Sequence, residues 1–329
     1  MSLKVIKGGI LDTVQDAGRW GFQYMGVNPG GVMDAYSSSI VNALVGNYLS
    51  EPVIEMHYPA SSFLFEQTTL IAIAGADFSP TINGEKIPLN HPVIVAKNSV
   101  LQFSALISGA RCYLGIIGGF DVPLWLGSAS TNLKIGVGGF EGRALKKDDV
   151  IFFKNKKGYT NLPKDKDWKA LPWRASIPEE ALASEKIFIL KGNEWDWVHS
   201  DGKQDLAESR FMIDSLSDRM GYRLKGVAIP TLRTEQLVSA GVGFGTIQLL
   251  PDGTMLILMA DHQTTGGYPR IGHVISAHLH LLSQKKVGDY IAFKLTDMHI
   301  AEELFLKQQR KLQQLQNACI FRLEEFFKP

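Results

Sequence analysis

The sequence predicts a mainly β fold of barrel or sandwich type with few helices. Three observations carry that prediction. Short apolar runs are each bounded by Gly, Pro, Asn or Ser, the pattern of strands joined by close turns. Glycine is abundant, 32 of 329 residues, and often paired, as at Gly30-Gly31, Gly118-Gly119, Gly138-Gly139 and Gly266-Gly267. Such glycines supply positive-φ turns and close backbone approaches. Helical periodicity shows in only three places. The length sets a prior of two lobes, at about 150 residues each. With 45% hydrophobic and 20% charged residues, disorder over the whole length is excluded. A chain this long buries sizeable cores without disulfides or metals.

In chain order, the first element with a clear start is a helix. Asp34 can N-cap it, Ile40, Val41, Leu44 and Val45 recur along it, and Gly46-Asn47 ends it. Strands follow at Val53–Met56, Leu70–Ala74, Val93–Ala96, Val100–Phe103, Cys112–Ile117 and Val150–Phe153. Leu101 and Phe103 alternate with polar residues, as on a strand with one buried face. Lys/Pro-rich sequence at 156–185 reads as a connection, and its basic runs as a solvated linker. Lys186–Leu190, Met255–Met259 and Tyr290–Leu295 read as strands of a second half. A second helix is expected near Pro269, with Ile271, Val274, Ile275, His278 and Leu282 on one face. The tail from Met298 to Phe327 is helical, with a stripe of Leu312, Leu315, Cys319, Leu323 and Phe326 that should pack on the body or on a partner. The expected domains are a β lobe at 1–155, the connection at 156–185, a second β lobe at 186–297 and a helical tail at 298–329. A faint internal likeness supports related lobes: Lys146-Lys147-Asp148-Asp149-Val150-Ile151 resembles Lys285-Lys286-Val287-Gly288-Asp289-Tyr290-Ile291.

Charge and cysteine content narrow the function classes. Lys+Arg 34 against Asp+Glu 33 gives +1, which argues against a general nucleic-acid binder. The two cysteines, Cys112 and Cys319, form no CxxC and read as buried thiols. The start of the chain lacks the apolar core of a signal peptide, and the longest apolar runs are too short to span a bilayer. The expected compartment is the cytoplasm, with no membrane partner.

The search for chemistry begins with exclusions. No phosphate-binding loop is present, and Gly241–Gly245 runs on into a strand rather than opening a helix. None of the eight histidines forms a metal-binding helical pair, and no HExxH or paired-Cys pattern exists, so no metal is expected. No GxSxG elbow is present. Ser128-Ala129-Ser130-Thr131 is a hydroxyl cluster that reads as a polar turn or as an anion-binding one. Two segments combine Gly, acids, amides and hydroxyls: Thr13–Gly21 continuing to Asp34, and Met259–Pro269. In the second, a strand ends on Asp261 and a helix is expected to begin. Its N-terminal N–H groups would then face an anion or oxyanion, or Thr265 would simply cap it.

These segments resemble a known family. The residues that carry the likeness are Thr13-Val14-Gln15-Asp16-x-Gly18-Arg19-x-Gly21, Gly31-x-Met33-Asp34, Asn42-x-Leu44-Val45-Gly46-Asn47 and Glu55. In the middle come Gly118-Gly119, Leu126-Gly127-Ser128, Ser130-Thr131 and Gly138-Gly139-x-x-Gly142-Arg143. Further on are Ser217–Gly221, Gly245-x-Ile247-Gln248, Asp261-x-Gln263-Thr264-Thr265-Gly266-Gly267-Tyr268-Pro269 and Gly288-Asp289. The chain resembles the C-type component of 5-oxoprolinase, a family also called allophanate hydrolase subunit 2 or the antagonist of a sporulation kinase inhibitor. It is similar to the carboxyltransferase domain of urea carboxylase.

The resemblance implies two cyclophilin-like β-barrel lobes and a site between them. It implies work with two further 5-oxoprolinase components, one A-like and one B-like, the latter kinase-inhibitor-like. Together they would convert 5-oxo-L-proline to L-glutamate with ATP as co-substrate. Roles carry over as expectations: Asp261, Thr265 and Asn47 catalytic, Asp34 and Asn42 substrate-binding. Gln263 and Tyr268, in the same loop as Asp261, are likewise expected to bind substrate, as are Arg143, Arg219, Ser128 and Ser130. Amide side chains such as Asn42, Asn47 and Gln263 suit a neutral lactam or urea-like group. Asp261 suits a base for water or an acceptor for the ring N–H. Arg143 and Arg219 suit a carboxylate or phosphate, or structural ion pairs. Ser128 and Ser130 suit an anion.

Departures from the pattern are Ala129 where the family has Arg, Gly192-Asn193 where it often has Gly-Pro, and His278 where an Asp is common. Two rival readings stand beside the first. One is carboxyl transfer from biotin borne on a separate protein, since no biotinylation signal is present. The other is a non-catalytic subunit that binds a kinase-inhibitor partner. Self-association of the chain is a further expectation.

Overall fold

The computed structural model describes residues 2–154, 166–176, 184–233, 235 and 237–327. The chain divides into two compact units. Unit 1 comprises Met1–Gly18, Asp34–Ile177 and Gln309–Pro329, and unit 2 comprises Arg19–Met33 and Pro178–Gln308. Arg19–Met33, expected in the first lobe, thus belongs to unit 2. The reason is local: Met33 is fully buried in that unit's core, and its carbonyl accepts from Ser283 Oγ.

Unit 1 runs β1 (Ser2–Lys7), β2 (Thr13–Gln15), α1 (Ala35–Leu44), β3 (Val53–Met56), β4 (Ser62–Phe65), β5 (Thr69–Asp77), β6 (Pro80–Ile82), β7 (Glu85–Lys86), β8 (Pro92–Val95), β9 (Val100–Phe103), β10 (Ser108–Ile116), β11 (Val150–Phe152) and β12 (Trp168–Ala170). They form two six-stranded sheets, ordered β11-β1-β4-β9-β6-β7 and β12-β8-β5-β10-β3-β2. One core unites them: Leu3, Phe63 and Leu101 from the first sheet meet Ile54, Ile71, Val93 and Leu114 from the second. The capping signal at α1 holds, with Asp34 accepting from Ser37 N at 2.8 Å. Gly46, at φ 73°, ends the helix where a side chain would be strained. Most of the expected connection at 156–185 lies outside the described residues. Within it Trp168–Ala170 is not linker but a strand, paired to β8 in register Trp168↔Val95.

Unit 2 runs β13 (Lys186–Lys191), α2 (Ser200–Glu208), β14 (Arg210–Ile213), β15 (Gly221–Lys225), β16 (Ala240–Gly241), β17 (Thr246–Leu249), β18 (Met255–Leu258), β19 (Thr265–Gly266), β20 (Arg270–Val274), α3 (Leu279–Ser283) and β21 (Tyr290–Leu295). Seven strands close a barrel in the order β13-β20-β17-β18-β15-β14-β21, and β16 and β19 make a separate two-stranded ribbon. Ile187, Phe211, Leu224, Ile247, Ile257, Ile271 and Ile291 fill the barrel. The helix expected from Pro269 is corrected here. Residues Arg270–Val274 are a strand bonded to β13 on one side and β17 on the other. β-Branched Ile271 and Val274 suit a central strand, and the helix is confined to Leu279–Ser283.

The internal likeness has a structural counterpart. Lys146 N donates to Asp149 Oδ2 at 2.8 Å, and Lys286 N donates to Asp289 Oδ2 at 2.9 Å. The residue before each Asp has positive φ, 74° at Asp148 and 87° at Gly288. Each turn leads directly into a strand, β11 in unit 1 and β21 in unit 2.

Helix α4 (Met298–Phe326) contributes its beginning to unit 2 and everything from Gln309 to unit 1. Ala301 packs with Ile275 and Ala277. Further along, Leu312, Cys319 and Leu323 are buried, and Phe326 meets Trp173 edge-on at 6.2 Å. Among the described residues, no helix is long and apolar enough to cross a membrane.

Candidate functional site

The expected site residues fall into local clusters, described unit by unit. In unit 1, Asp34 is fully buried and spends both carboxylate oxygens on the start of α1, from Ser37 N at 2.8 Å and Ser37 Oγ at 2.6 Å. Its own N–H donates to Tyr113 Oη at 2.9 Å, and that hydroxyl donates to Glu55 Oε2 at 2.8 Å. Burial, then the carboxylates of Glu55 and Asp34, push the Tyr113 hydroxyl far up, so it stays protonated as the link.

Asn42 Nδ2 donates to the Leu49 and Glu51 carbonyls. Asn47 Nδ2 donates to Asn42 Oδ1 and to Ile116 O, and Asn47 Oδ1 accepts from Gly118 N at 2.7 Å. These two amides therefore tie the end of α1 to the strand ends of β10. Asn47 also lines a 420 Å³ cavity with Tyr48, Glu51 and Lys154, whereas Asn42 is spent on the Leu49 and Glu51 carbonyls and on Asn47.

Asp16 organises the hydroxyl cluster. Ser128 Oγ and Ser130 Oγ each donate to Asp16 Oδ1 at 2.6 Å, and Ala129 N donates to Asp16 Oδ2 at 2.6 Å. Ser128 and Ser130 hold that carboxylate rather than a free anion. Arg143 is engaged by Asp149 at 2.6 Å and by Glu141, as the ion-pair reading expects.

Unit 2 brings the Ser217–Gly221 and Asp261–Pro269 motifs together. Arg219 Nε donates to Asp261 Oδ2 at 2.8 Å and Nη2 donates to Oδ1 at 3.0 Å, a bidentate pair with side chains 6% and 17% exposed. Nη2 also donates to Gly31 O at 2.6 Å, which pins the Arg19–Met33 stretch. Backbone bonds from Asp261 N to Arg219 O and Met259 N to Met220 O align the two loops. His262 is buried, its Nδ1 against Gln263 O at 2.5 Å, and burial pushes its imidazole below the usual range.

The sequence missed a polar layer outside the barrel wall. Ile247 and Leu249 fill the barrel, so Thr246 and Gln248, on the alternate positions of β17, face outward. The ribbon of β16 and β19 lies against them. A Cβ at Gly266 would stand 2.4 Å from Gln248 Nε2, so only glycine lets the ribbon backbone this close. Gln248 is fully buried; its Oε1 accepts loosely from Gln263 Nε2 at 3.5 Å, and among the described residues its Nε2 has no hydrogen-bond partner. Beside it, Thr246 Oγ1 meets His273 Nδ1 at 3.3 Å, and Arg270 forks onto Glu194 at 2.9 and 2.7 Å. Burial, then Arg270, lowers the His273 pKa. A glutamine inside an otherwise apolar strand was the signal for this layer.

Thr265 is exposed in β19 and caps no helix, so the helix N-terminus expected to face an anion is absent from Asp261–Pro269. Tyr268 is half-exposed at the rim of a 430 Å³ cavity that Gly267 and Pro269 also line. Among the described residues no group of three or more His, Cys, Asp or Glu is placed to hold a metal.

The family described as carboxyltransferase domain, subdomain A and B, matches residues 25–295. The C-type component of 5-oxoprolinase from Escherichia coli K12 is 33% identical over 313 residues, covering 95% of this chain and 97% of that protein. Its counterpart from Haemophilus influenzae is 30% identical, covering 92% and 94%. The urea amidolyase of Saccharomyces cerevisiae is 30% identical over 98% of this chain, which spans 18% of that protein. Among solved structures, the Kluyveromyces lactis urea amidolyase matches with a TM-score of 0.85 and 29% identity, over 95% of this chain and 20% of that one.

Proposed function

The chain belongs to the carboxyltransferase subdomain A and B family, and from that premise we propose that it is one component of an ATP-hydrolysing 5-oxoprolinase, which opens 5-oxo-L-proline to L-glutamate. The observation that carries this reading is the matched extent: similarity to the C-type 5-oxoprolinase component covers 97% of that protein, against 18% of the urea amidolyase. The partners are A-like and B-like 5-oxoprolinase components in the cytoplasm.

A lactam resists hydrolysis because its amide is resonance-stabilised, and phosphorylation of its oxygen by ATP makes the carbon electrophilic. What this chain supplies is recognition of a neutral amide. Gln248 and Gln263 meet each other at 3.5 Å in the layer under the ribbon, and their role is to position that ribbon. Arg219 and Arg143 have their donors engaged by carboxylates, so neither is assigned the substrate carboxylate. Asp261 is likewise engaged, and its role is positioning: it fixes Arg219, which fixes Gly31.

The test is co-expression with both partner proteins and an assay of glutamate release from 5-oxoproline and ATP. Glutamate release by the three-part complex is expected; a pure, assembled complex that releases none overturns the proposal. A second reading, carboxyl transfer from biotin on a separate protein to urea or a related amide, draws on the TM-score of 0.85 to the urea amidolyase. Carboxylation of urea when urea and a carrier bearing carboxybiotin replace 5-oxoproline in the same assay would select it.

A further inference from the structure

We infer that the 430 Å³ cavity of unit 2 is a binding site for a small carboxylic acid that carries an N–H group next to its carboxylate, with Arg233 holding the anion and Glu235 the N–H. The inference rests on the 5-oxoprolinase reading and names which surface takes the substrate or its amino-acid product.

The cavity has a floor and a charged wall. Leu237, Leu250 and Pro251 line it on the apolar side. Tyr268 stands at the rim, contributed by the Asp261–Pro269 motif. Arg233 is held in place from below: its guanidinium lies 5.1 Å over the Trp197 ring. Its backbone N–H donates to Thr231 Oγ1, and that hydroxyl donates to the Trp197 and Arg233 carbonyls at 3.1 and 2.8 Å. Leu232 N adds a bond to Trp197 O at 2.7 Å. The segment is therefore anchored while its cation remains available. Arg143, Arg210, Arg219, Arg223, Arg270 and Arg322 all have ion-pair partners, whereas among the described residues no carboxylate lies within 4.0 Å of Arg233.

A planar guanidinium presents a two-pronged face to a carboxylate, which a water-filled rim leaves unused. Glu235 lines the same cavity and would repel a bare anion. It suits a ligand whose nitrogen proton sits beside its carboxylate, and both the lactam N–H of 5-oxoproline and the ammonium of glutamate meet that condition. A neutral lactam without the carboxylate loses the contact that Arg233 supplies.

The test is calorimetric titration of the full chain with 5-oxo-L-proline, L-glutamate and 2-pyrrolidinone, on wild type, Arg233→Gln and Glu235→Gln. Both side chains are exposed, so the variants should keep the wild-type melting temperature. Binding of 5-oxo-L-proline or L-glutamate by wild type, at least tenfold weaker in Arg233→Gln, with 2-pyrrolidinone weak throughout, supports the site. Binding unchanged in Arg233→Gln, or no binding of either acid by wild type, overturns it. The assembled complex separates the two claims. Glutamate release with an unchanged KM in Arg233→Gln would leave the 5-oxoprolinase standing and remove this site. Arg233-dependent binding without glutamate release would keep the site and remove the 5-oxoprolinase.

Discussion

At Asp261 the contacts decide between two roles that the sequence left open. A capping aspartate would cost about 1 kcal/mol on replacement. Here the carboxylate neutralises Arg219, whose side chain is 6% exposed, and removing one member of such a pair costs on the order of 3 kcal/mol. Asp261→Asn should therefore lower the unfolding free energy by about that amount, read as a lower denaturant midpoint, and loosen Arg219 from Gly31. Asp261→Glu, which keeps the charge, should recover most of the stability. If kcat falls in the complex while stability and KM stay at wild-type values, Asp261 acts on the reacting atoms instead. His278 makes a prediction in pH. Its Nδ1 accepts from Phe188 N at 3.1 Å, and its ring lies 4.6 Å from the Phe188 ring. Burial, followed by the neighbouring His280, lowers its pKa from 6.5 to about 4. The folded state thus prefers the neutral ring, and between pH 6.5 and 4 the unfolded chain binds the extra proton. The stabilising contribution is complete above pH 6.5 and is lost as pH falls toward 4. Melting temperature should drop across that window, and the drop should shrink in His278→Asn, which keeps an acceptor but does not titrate. Equal pH profiles for the two proteins would assign the acid sensitivity elsewhere.

Elements differ in how far the sequence betrays them. Val53–Met56, Val100–Phe103 and Tyr290–Leu295 are strands at the bounds their turn residues set, because a short apolar run between breakers has few other ways to bury itself. The misread helix after Pro269 shows the opposite case. Ile271, Val274, Ile275, His278 and Leu282 keep helical spacing, but that spacing spans a strand, a turn and a short helix in succession. Pairing of Arg270–Val274 with strands about 25 and 85 residues earlier overrides it, and only tertiary structure reveals that. The same non-local pairing turns Gln248 outward and brings Gly266 over it, so the amide layer was not legible although its residues were in view. The tail stripe was legible because its period is local. Leu323, 7% exposed, sits where a Cβ on Gly46 would be 2.9 Å from its Cδ1. Leu323→Ala should cost about 2 kcal/mol, while Leu306→Ala, at a position 41% exposed, should cost little. Equal denaturation curves for Leu323→Ala and wild type would mean that this part of the helix adds nothing to unit 1.

Taken whole, the molecule supplies recognition under the 5-oxoprolinase proposal and leaves ATP to another protein of the complex. Measured alone, it should show no 5-oxoproline-dependent ATP hydrolysis, and turnover by the pure chain would contradict that division of labour. The order of the segments also has a kinetic meaning. Arg19–Met33 leaves the ribosome roughly two hundred residues before the groups that hold it, Arg219 and Ser283. Unit 1 likewise waits for residues beyond Gln309 before Leu312, Cys319 and Leu323 can cover it. At roughly 5–20 residues per second, a nascent chain would carry both gaps for on the order of tens of seconds. Unit 1 therefore closes only once the residues from Gln309 onward are made, and a chaperone that engages the chain midway would meet a half-built first unit and an unanchored glycine-rich strap.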